Sequence, residues 1–154
     1  MIGRYSFLVG AGIWLFGALI HWIAPLLGAD WYAFLHSPEW VVDSARNGTW
    51  EAPLGAVVIG ALMFACALYA LAGAGLIRRI PLLKTALVVI SAIAIIRGLL
   101  PVPWLISAPD RLSAFDIVGS LIWLLAGLSL SLGTASRWHL LTATNSAGTK
   151  EAGR

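Results

Sequence analysis

The sequence predicts an all-α membrane protein, a four-transmembrane-helix bundle with a short interfacial helix in the first outer loop. Composition is the first reason: 60% of the 154 residues are hydrophobic, only 11% are charged, and the mean hydropathy is +0.89. Soluble domains carry about 25% charged residues. The second reason is that the apolar residues form long runs, and about 20 in succession cross the roughly 30 Å hydrocarbon layer. A water-soluble fold is therefore excluded.

Four runs are long enough to span a bilayer, and local signals mark their ends. A tight basic turn follows the second run, and two prolines end the third. The fourth run opens with a capping-box pattern in which Asp takes the usual place of Glu. The predicted spans are Tyr5 to Gly28, Ala52 to Ile77, Leu82 to Leu100, and Ser113 to Gly133.

The first outer loop, residues 29–50, is predicted to contain a helix of its own. Ser37 supplies a capping hydroxyl, Pro38 suits the first turn, and Glu39 complements the helix dipole. Gly48, after Asn47, ends the helix. Tryptophans around this segment indicate that it lies in the headgroup layer; they are Trp31, Trp40 and Trp50.

The chain is predicted to form a single four-span transmembrane domain over residues 1–141, followed by a disordered cytoplasmic tail over residues 142–154. Basic residues determine the predicted orientation, because seven fall on one side of the spans and two on the other. Both termini are therefore expected in the cytoplasm, and the net charge of +3 reflects topology rather than an acidic partner. The seven are Arg4, Arg78, Arg79, Lys84, Arg137, Lys150 and Arg154; the two are Arg46 and Arg111.

Four ionisable residues, within or at the edge of the predicted spans, are expected to meet inside the membrane: His21, Glu51, Arg97 and Asp116. At about 1.5 Å of rise per residue, all four fall in the outer third of the bilayer. Each shares a helix face with small residues, which mark the packed sides of membrane helices. The four side chains are therefore predicted to point inward.

Arg97 needs a partner in this arrangement, because an arginine at mid-membrane costs about 2.5–3.5 kcal/mol on insertion scales and stays charged. Asp116 is the expected counter-ion, Glu51 is the second choice, and His21 could titrate near neutral pH. Two interpretations stay open. The group is either a ligand pocket open to the outer side or a structural lock in which the acids cap helices and Arg97 ties two spans together.

Chemical motifs are otherwise missing from the sequence. Only His21 lies within a span, so no pair of histidines is placed to bind haem, and no metal-ligand spacing is present. Cys66 lies in mid-span with no base at its depth, which favours a packing role. No cofactor, metal ion or catalytic residue is predicted, and an enzyme is the least favoured class.

Three segments resemble a known group. His21-Trp22 lies near the outer end of the first span, Gly73 to Leu83 reads GAGLIRRIPLL, and Arg97-Gly98-Leu99 closes the third span. Together they resemble small uncharacterised four-span bacterial inner-membrane proteins and, more remotely, the DoxX-like group. The resemblance implies a multi-pass protein of the bacterial inner membrane, and it carries over no functional residue.

The leading functional expectation is binding or passage of a small polar or amphiphilic ligand at the outer-side polar group. The alternative is a non-catalytic accessory or assembly subunit whose polar group is a structural lock. The lipid bilayer is an expected partner, as is a second copy of the chain packing through Gly and Ala faces. No nucleic-acid partner is expected.

Overall fold

The computed structural model describes residues 2–142, and within that range the chain is helical with no β-strand. A 3-10 helix, Pro109–Arg111, lies between the sixth and seventh α-helices. The α-helices in this range are α1 (Ile2–Leu27), α2 (Ala29–Phe34), α3 (Glu39–Asn47), α4 (Glu51–Ala74), α5 (Leu83–Leu99), α6 (Val102–Ser107), α7 (Ala114–Ser136) and α8 (Trp138–Thr142).

Four segments are long and apolar enough to cross a membrane: α1, α4, α7, and α5 together with α6 as Leu83–Ser107. Each contains an 18-residue window with a mean hydropathy between 1.8 and 2.3. The predicted fold class is confirmed, and the chain is a multi-pass membrane protein. The predicted spans differ from the observed helices by a few residues at each end, as is usual for helix termini.

The first outer loop differs from the prediction because it holds two helices rather than one. The six-residue α2 is too short to show a helical period, so no pattern in the sequence predicted it. The predicted capping role of Ser37 is wrong, since Pro38 occupies the cap position and its carbonyl accepts from Val41 and Val42. The predicted end at Gly48 is confirmed by its left-handed φ of 66°.

The predicted break of the third helix at Pro101 is confirmed, because α5 ends at Leu99, although the apolar span continues through α6 to Ser107. Pro101 lacks an N–H group, so it cannot continue the α5 hydrogen-bond ladder. The chain then forms α6, a short helix that was not predicted. The tail that is predicted to be disordered lies beyond residue 142, outside the residues that the structure describes.

The described chain divides into two compact units, and α1 and α4 contribute residues to both. Unit one contains residues 2–13 and 68–142, and unit two contains residues 14–67. The prediction of a single transmembrane domain stays a prediction.

The core of unit one forms around Phe7, which is fully buried. Its ring lies against the backbones of α4 and α7 at two glycines. A Cβ atom added at Gly73 would lie 2.9 Å from the ring, and one added at Gly133 would lie 3.0 Å from it. Larger residues at these glycines would displace Phe7, so glycine is required for the close packing.

Helices α5 and α7 approach each other closely enough for backbone to meet backbone. A Cβ atom added at Gly98 would lie 2.8 Å from the Leu124 nitrogen and 2.9 Å from the Ser120 carbonyl oxygen. A Cβ atom added at Gly127 would lie 2.9 Å from the Ile95 nitrogen. Because backbone cannot move aside as a side chain can, these two glycines set the separation of the helices.

Unit two contains the C-terminal half of α1, α2, α3 and most of α4. The Trp22 ring packs against Gly60, and its indole N–H donates to the Val57 carbonyl at 3.3 Å. An apolar cluster then connects the four helices: Ala24 of α1, Tyr32 of α2, Val42 of α3, and Ala52 and Ala56 of α4.

The α5–α7 contact predicts a large difference between two Gly→Ala substitutions. Gly98→Ala should destabilise the protein by about 1–3 kcal/mol, the usual cost of overpacking. Gly119→Ala, on the same pair of helices, should be neutral or stabilising, because nothing lies within 4 Å of its added Cβ and alanine favours helix. Reversible unfolding in mixed micelles, followed by circular dichroism, measures both. Equal effects would show that the close approach does not determine stability.

Candidate functional site

His21 is half-buried in α1, where its ring bonds to the preceding turn. Nδ1 lies 2.8 Å from the Gly17 carbonyl oxygen. A carbonyl oxygen only accepts, so we assign the proton to Nδ1, and the neutral ring then presents Nε2 as an acceptor. The ring orientation is therefore fixed by the helix that carries it.

Glu51, the first residue of α4, belongs to a polar network centred on Ser44 of α3. The buried Ser44 hydroxyl donates to the Glu51 carboxylate at 3.2 Å, accepts from the Ala52 backbone N–H at 2.9 Å, and lies 2.8 Å from the Thr49 hydroxyl. Ser44 thus caps α4 from another helix, in the role usually taken by the residue just before a helix. Glu51 adds negative charge at the same helix N-terminus.

Asp116 forms the predicted capping box at the start of α7. Its Oδ2 accepts from the Ser113 backbone N–H at 3.0 Å and from the Ser113 hydroxyl at 2.7 Å. The Ser113 oxygen accepts in return from the Asp116 N–H at 3.2 Å. The carboxylate is half-buried, and this helix-starting role satisfies one of its oxygens.

Arg97 lies in the last turn of α5 and its side chain is exposed. Its neighbour Gly98 faces α7, so Arg97 lies about 100° around the helix from the closest contact. Within residues 2–13 and 68–142, the guanidinium makes no hydrogen bond or ion pair. It is 14 residues from the start and 10 from the end of the span Leu83–Ser107.

The expected ion pair between Arg97 and Asp116 is not formed within unit one, although both residues belong to it. The physical reason is local, since Asp116 Oδ2 is directed to Ser113 and Arg97 lies beside the packed face of α5. In unit two, residues 14–67, His21 and Glu51 bond to different partners and not to each other. That all four residues meet inside the membrane stays a prediction.

Two polar residues of unit two were missed by the sequence analysis. Ser44 bonds to residues five to eight positions away, beyond the reach of any capping pattern. Tyr32 is only 4% exposed, and within residues 2–142 its hydroxyl has no hydrogen-bond partner. Burial raises the pKa of Tyr32 above its ordinary value. A lone tyrosine in a loop gives no sequence signal of burial.

No group of three His, Cys, Asp or Glu side chains within residues 2–142 could hold a metal ion. Comparison with known proteins finds no matching family model, no similar curated protein and no similar solved structure. The resemblance to small four-span bacterial proteins and to the DoxX-like group stays a prediction. The fold itself defines the class, a multi-pass membrane protein with polar groups at the starts of its helices.

The Ser44 network predicts that Ser44→Ala destabilises the protein by about 1–2 kcal/mol, because the Ala52 N–H and the Glu51 carboxylate lose a partner. Ser37→Ala is the matched control, since the Ser37 hydroxyl makes no hydrogen bond within residues 14–67. Unfolding in mixed micelles measures both variants. Equal stabilities of the two would rule out the capping role of Ser44.

The buried Tyr32 hydroxyl predicts a loss of stability at high pH. Above the ordinary tyrosine pKa of about 10, the unfolded phenol releases its proton while the folded one retains it, so rising pH favours unfolding. Tyr32→Phe should remove this part of the pH dependence and be at least as stable at neutral pH, because the lost hydroxyl has no partner. Thermal unfolding at several pH values measures the effect. The exposed Tyr5→Phe is the control, and an identical pH profile in both variants would contradict the prediction.

Proposed function

We propose that the protein binds a small amphiphilic molecule whose anionic part pairs with Arg97. The observation that supports this is an exposed guanidinium well inside a membrane-spanning segment, without a partner in unit one. At about 1.5 Å per helical residue, it is about 21 Å along α5 from Leu83, and ten further residues, divided between α5 and α6, lead to Ser107. An anionic ligand at this position would supply the missing counter-charge.

The magnitudes favour a ligand over a purely local role for Arg97. A cation in the last turn of α5 interacts favourably with the helix dipole by about 0.3–1 kcal/mol. Placing an arginine at the centre of a span costs about 2.5–3.5 kcal/mol on insertion scales. The dipole therefore offsets only a fraction of the cost. Snorkelling of the side chain reduces the remainder, and a bound anion would offset more of it.

The other predicted site residues have supporting roles in this proposal. Asp116 and Glu51 hold the starts of α7 and α4 through hydroxyl groups, so they keep the helices in place rather than bind the ligand. His21 bonds to the Gly17 carbonyl oxygen through Nδ1 and presents its other ring nitrogen, Nε2, as an acceptor.

We place the protein in a bacterial inner membrane with both termini in the cytoplasm. Support comes from the seven-to-two division of basic residues across the spans. With this orientation, Arg97 lies nearer the outer surface, and a ligand would reach it from the outer leaflet or the periplasm.

A second candidate function is a non-catalytic accessory or assembly subunit. The observation that favours it is that both acids near the membrane boundary are engaged in holding helix starts. An acidic residue on a partner membrane protein, or on a second copy of the chain, would then pair with Arg97. No ligand would be required.

Native mass spectrometry of the gently purified protein tests the proposal. Wild type should carry an acidic adduct of constant mass, and Arg97→Gln should lose most of it. Arg111→Gln is the matched control, because it removes the same charge at an exposed position outside the spans and should keep the adduct. Adduct-free spectra from wild type and both variants, in detergent and in lipid nanodiscs, would favour the accessory subunit.

A further inference from the structure

A narrow groove of about 330 Å³ runs between α5 and α7 in unit one, and Trp138 of α8 lies at one end. Its walls are almost wholly apolar; they include Val88, Ala92 and Ile95 on one side and Ser131 and Ala135 on the other. The volume lies at the lower limit of ligand pockets, about 300–1,000 Å³. Ala92 and Ala135 are exposed, so the groove opens onto the surface that faces lipid.

One hydroxyl in the groove wall lacks a partner. Thr134 is 4% exposed, and within residues 2–142 its Oγ1 makes no hydrogen bond. A hydroxyl in a membrane helix ordinarily bonds to the carbonyl one turn earlier. Ser91, in the opposite wall, does so with Leu87 at 2.6 Å. Because Thr134 lines the groove, its hydroxyl can donate to an acceptor that is bound there.

A cation lies at the Trp138 end of the groove. The Lys84 Nζ is 3.4 Å from the centre of the Trp138 ring, a cation–π contact. Lys84 makes no ion pair within residues 2–13 and 68–142. It lies in the first turn of α5, and the helix start at Leu82 has no side-chain cap, so the dipole adds positive potential there.

The surrounding charges also favour an anion at this end. Arg137 donates to the Gly73 carbonyl, and Arg79 donates to the Leu140 carbonyl, so further cations are held nearby. Within residues 2–13 and 68–142 the acids are Asp110 and Asp116, both near the opposite end of α7. A negatively charged group near Lys84 would meet no like charge among them.

From these observations we infer that the groove binds one acyl chain of an anionic phospholipid. The acyl chain lies along Val88, Ala92 and Ile95, and the phosphate of the lipid headgroup pairs with Lys84. The ester carbonyl accepts from Thr134, and Trp138 contributes an aromatic surface at the depth where indole rings are enriched. The groove does not include Arg97, so this site is independent of the proposed outer ligand.

Titration of the purified protein with phosphatidylglycerol in native mass spectrometry tests the site. Phosphatidylcholine with the same acyl chains is the comparison lipid. Wild type should bind phosphatidylglycerol preferentially. Lys84→Gln should weaken that binding about fivefold, the scale of one lysine near an anionic lipid surface, and should remove most of the preference. Arg78→Gln removes the same charge from an exposed residue, whereas Lys84 is the cation that contacts Trp138 of the groove, so the affinity of Arg78→Gln should stay close to that of wild type.

Two further variants test the groove itself. Ala92→Phe fills it from an exposed position, so folding should be retained while the binding of both lipids falls. Thr134→Val removes the hydroxyl at constant volume and should weaken binding without loss of stability, because the hydroxyl has no protein partner. Wild-type binding in Ala92→Phe, or equal losses in Lys84→Gln and Arg78→Gln, would overturn the inference. Arg97→Gln should bind phosphatidylglycerol as wild type does, which separates this result from the test of the outer ligand.

Discussion

Close contact between the backbones of α5 and α7 determines the position of every candidate binding feature in unit one. Because Gly98 and Gly127 admit no side chain between the helices, the packed face of α5 is fixed. Arg97 must then lie beside that face, with its guanidinium exposed. The same contact leaves other residues of α5 and α7, most of them small, to form the walls of the groove. The exposed position of Arg97 and the groove thus both result from the close packing of α5 against α7.

The sequence predicted those parts of the fold whose causes are local or repeated many times. Each membrane span is marked by about 20 apolar residues, and Ser113 and Asp116 are only three positions apart. The Ser44 hydroxyl, in contrast, bonds to Ala52 across the end of a helix and a turn, where no periodic pattern connects them. The expected pairing of Arg97 with Asp116 rested on their similar depth and on the small residues that share their helix faces. Depth does not account for the hydrogen bonds that direct an acid to its own helix start.

The two acids and the arginine lie at opposite ends of the helices that carry them. Glu51 and Asp116 each lie in the first turn of a span, where free backbone N–H groups and nearby hydroxyls stabilise a carboxylate. Arg97 lies in a last turn, where only carbonyl oxygens and a weak dipole are available. Glu51 and Asp116 therefore have protein partners at the starts of their helices, whereas the Arg97 guanidinium has none within residues 2–13 and 68–142.

The hydrogen bond from the Ala52 N–H to the Ser44 hydroxyl restricts the number of residues between these two positions. Gly48 reverses the chain, Thr49 returns a hydroxyl to Ser44, and α4 begins two residues later. One inserted or deleted residue in α3 between Ser44 and Gly48 would turn Ser44 by about 100° away from the N–H that it caps. Homologous chains should therefore vary in sequence at the exposed positions of this stretch but not in the number of residues, so alignment gaps here would mark a different arrangement of the outer helices.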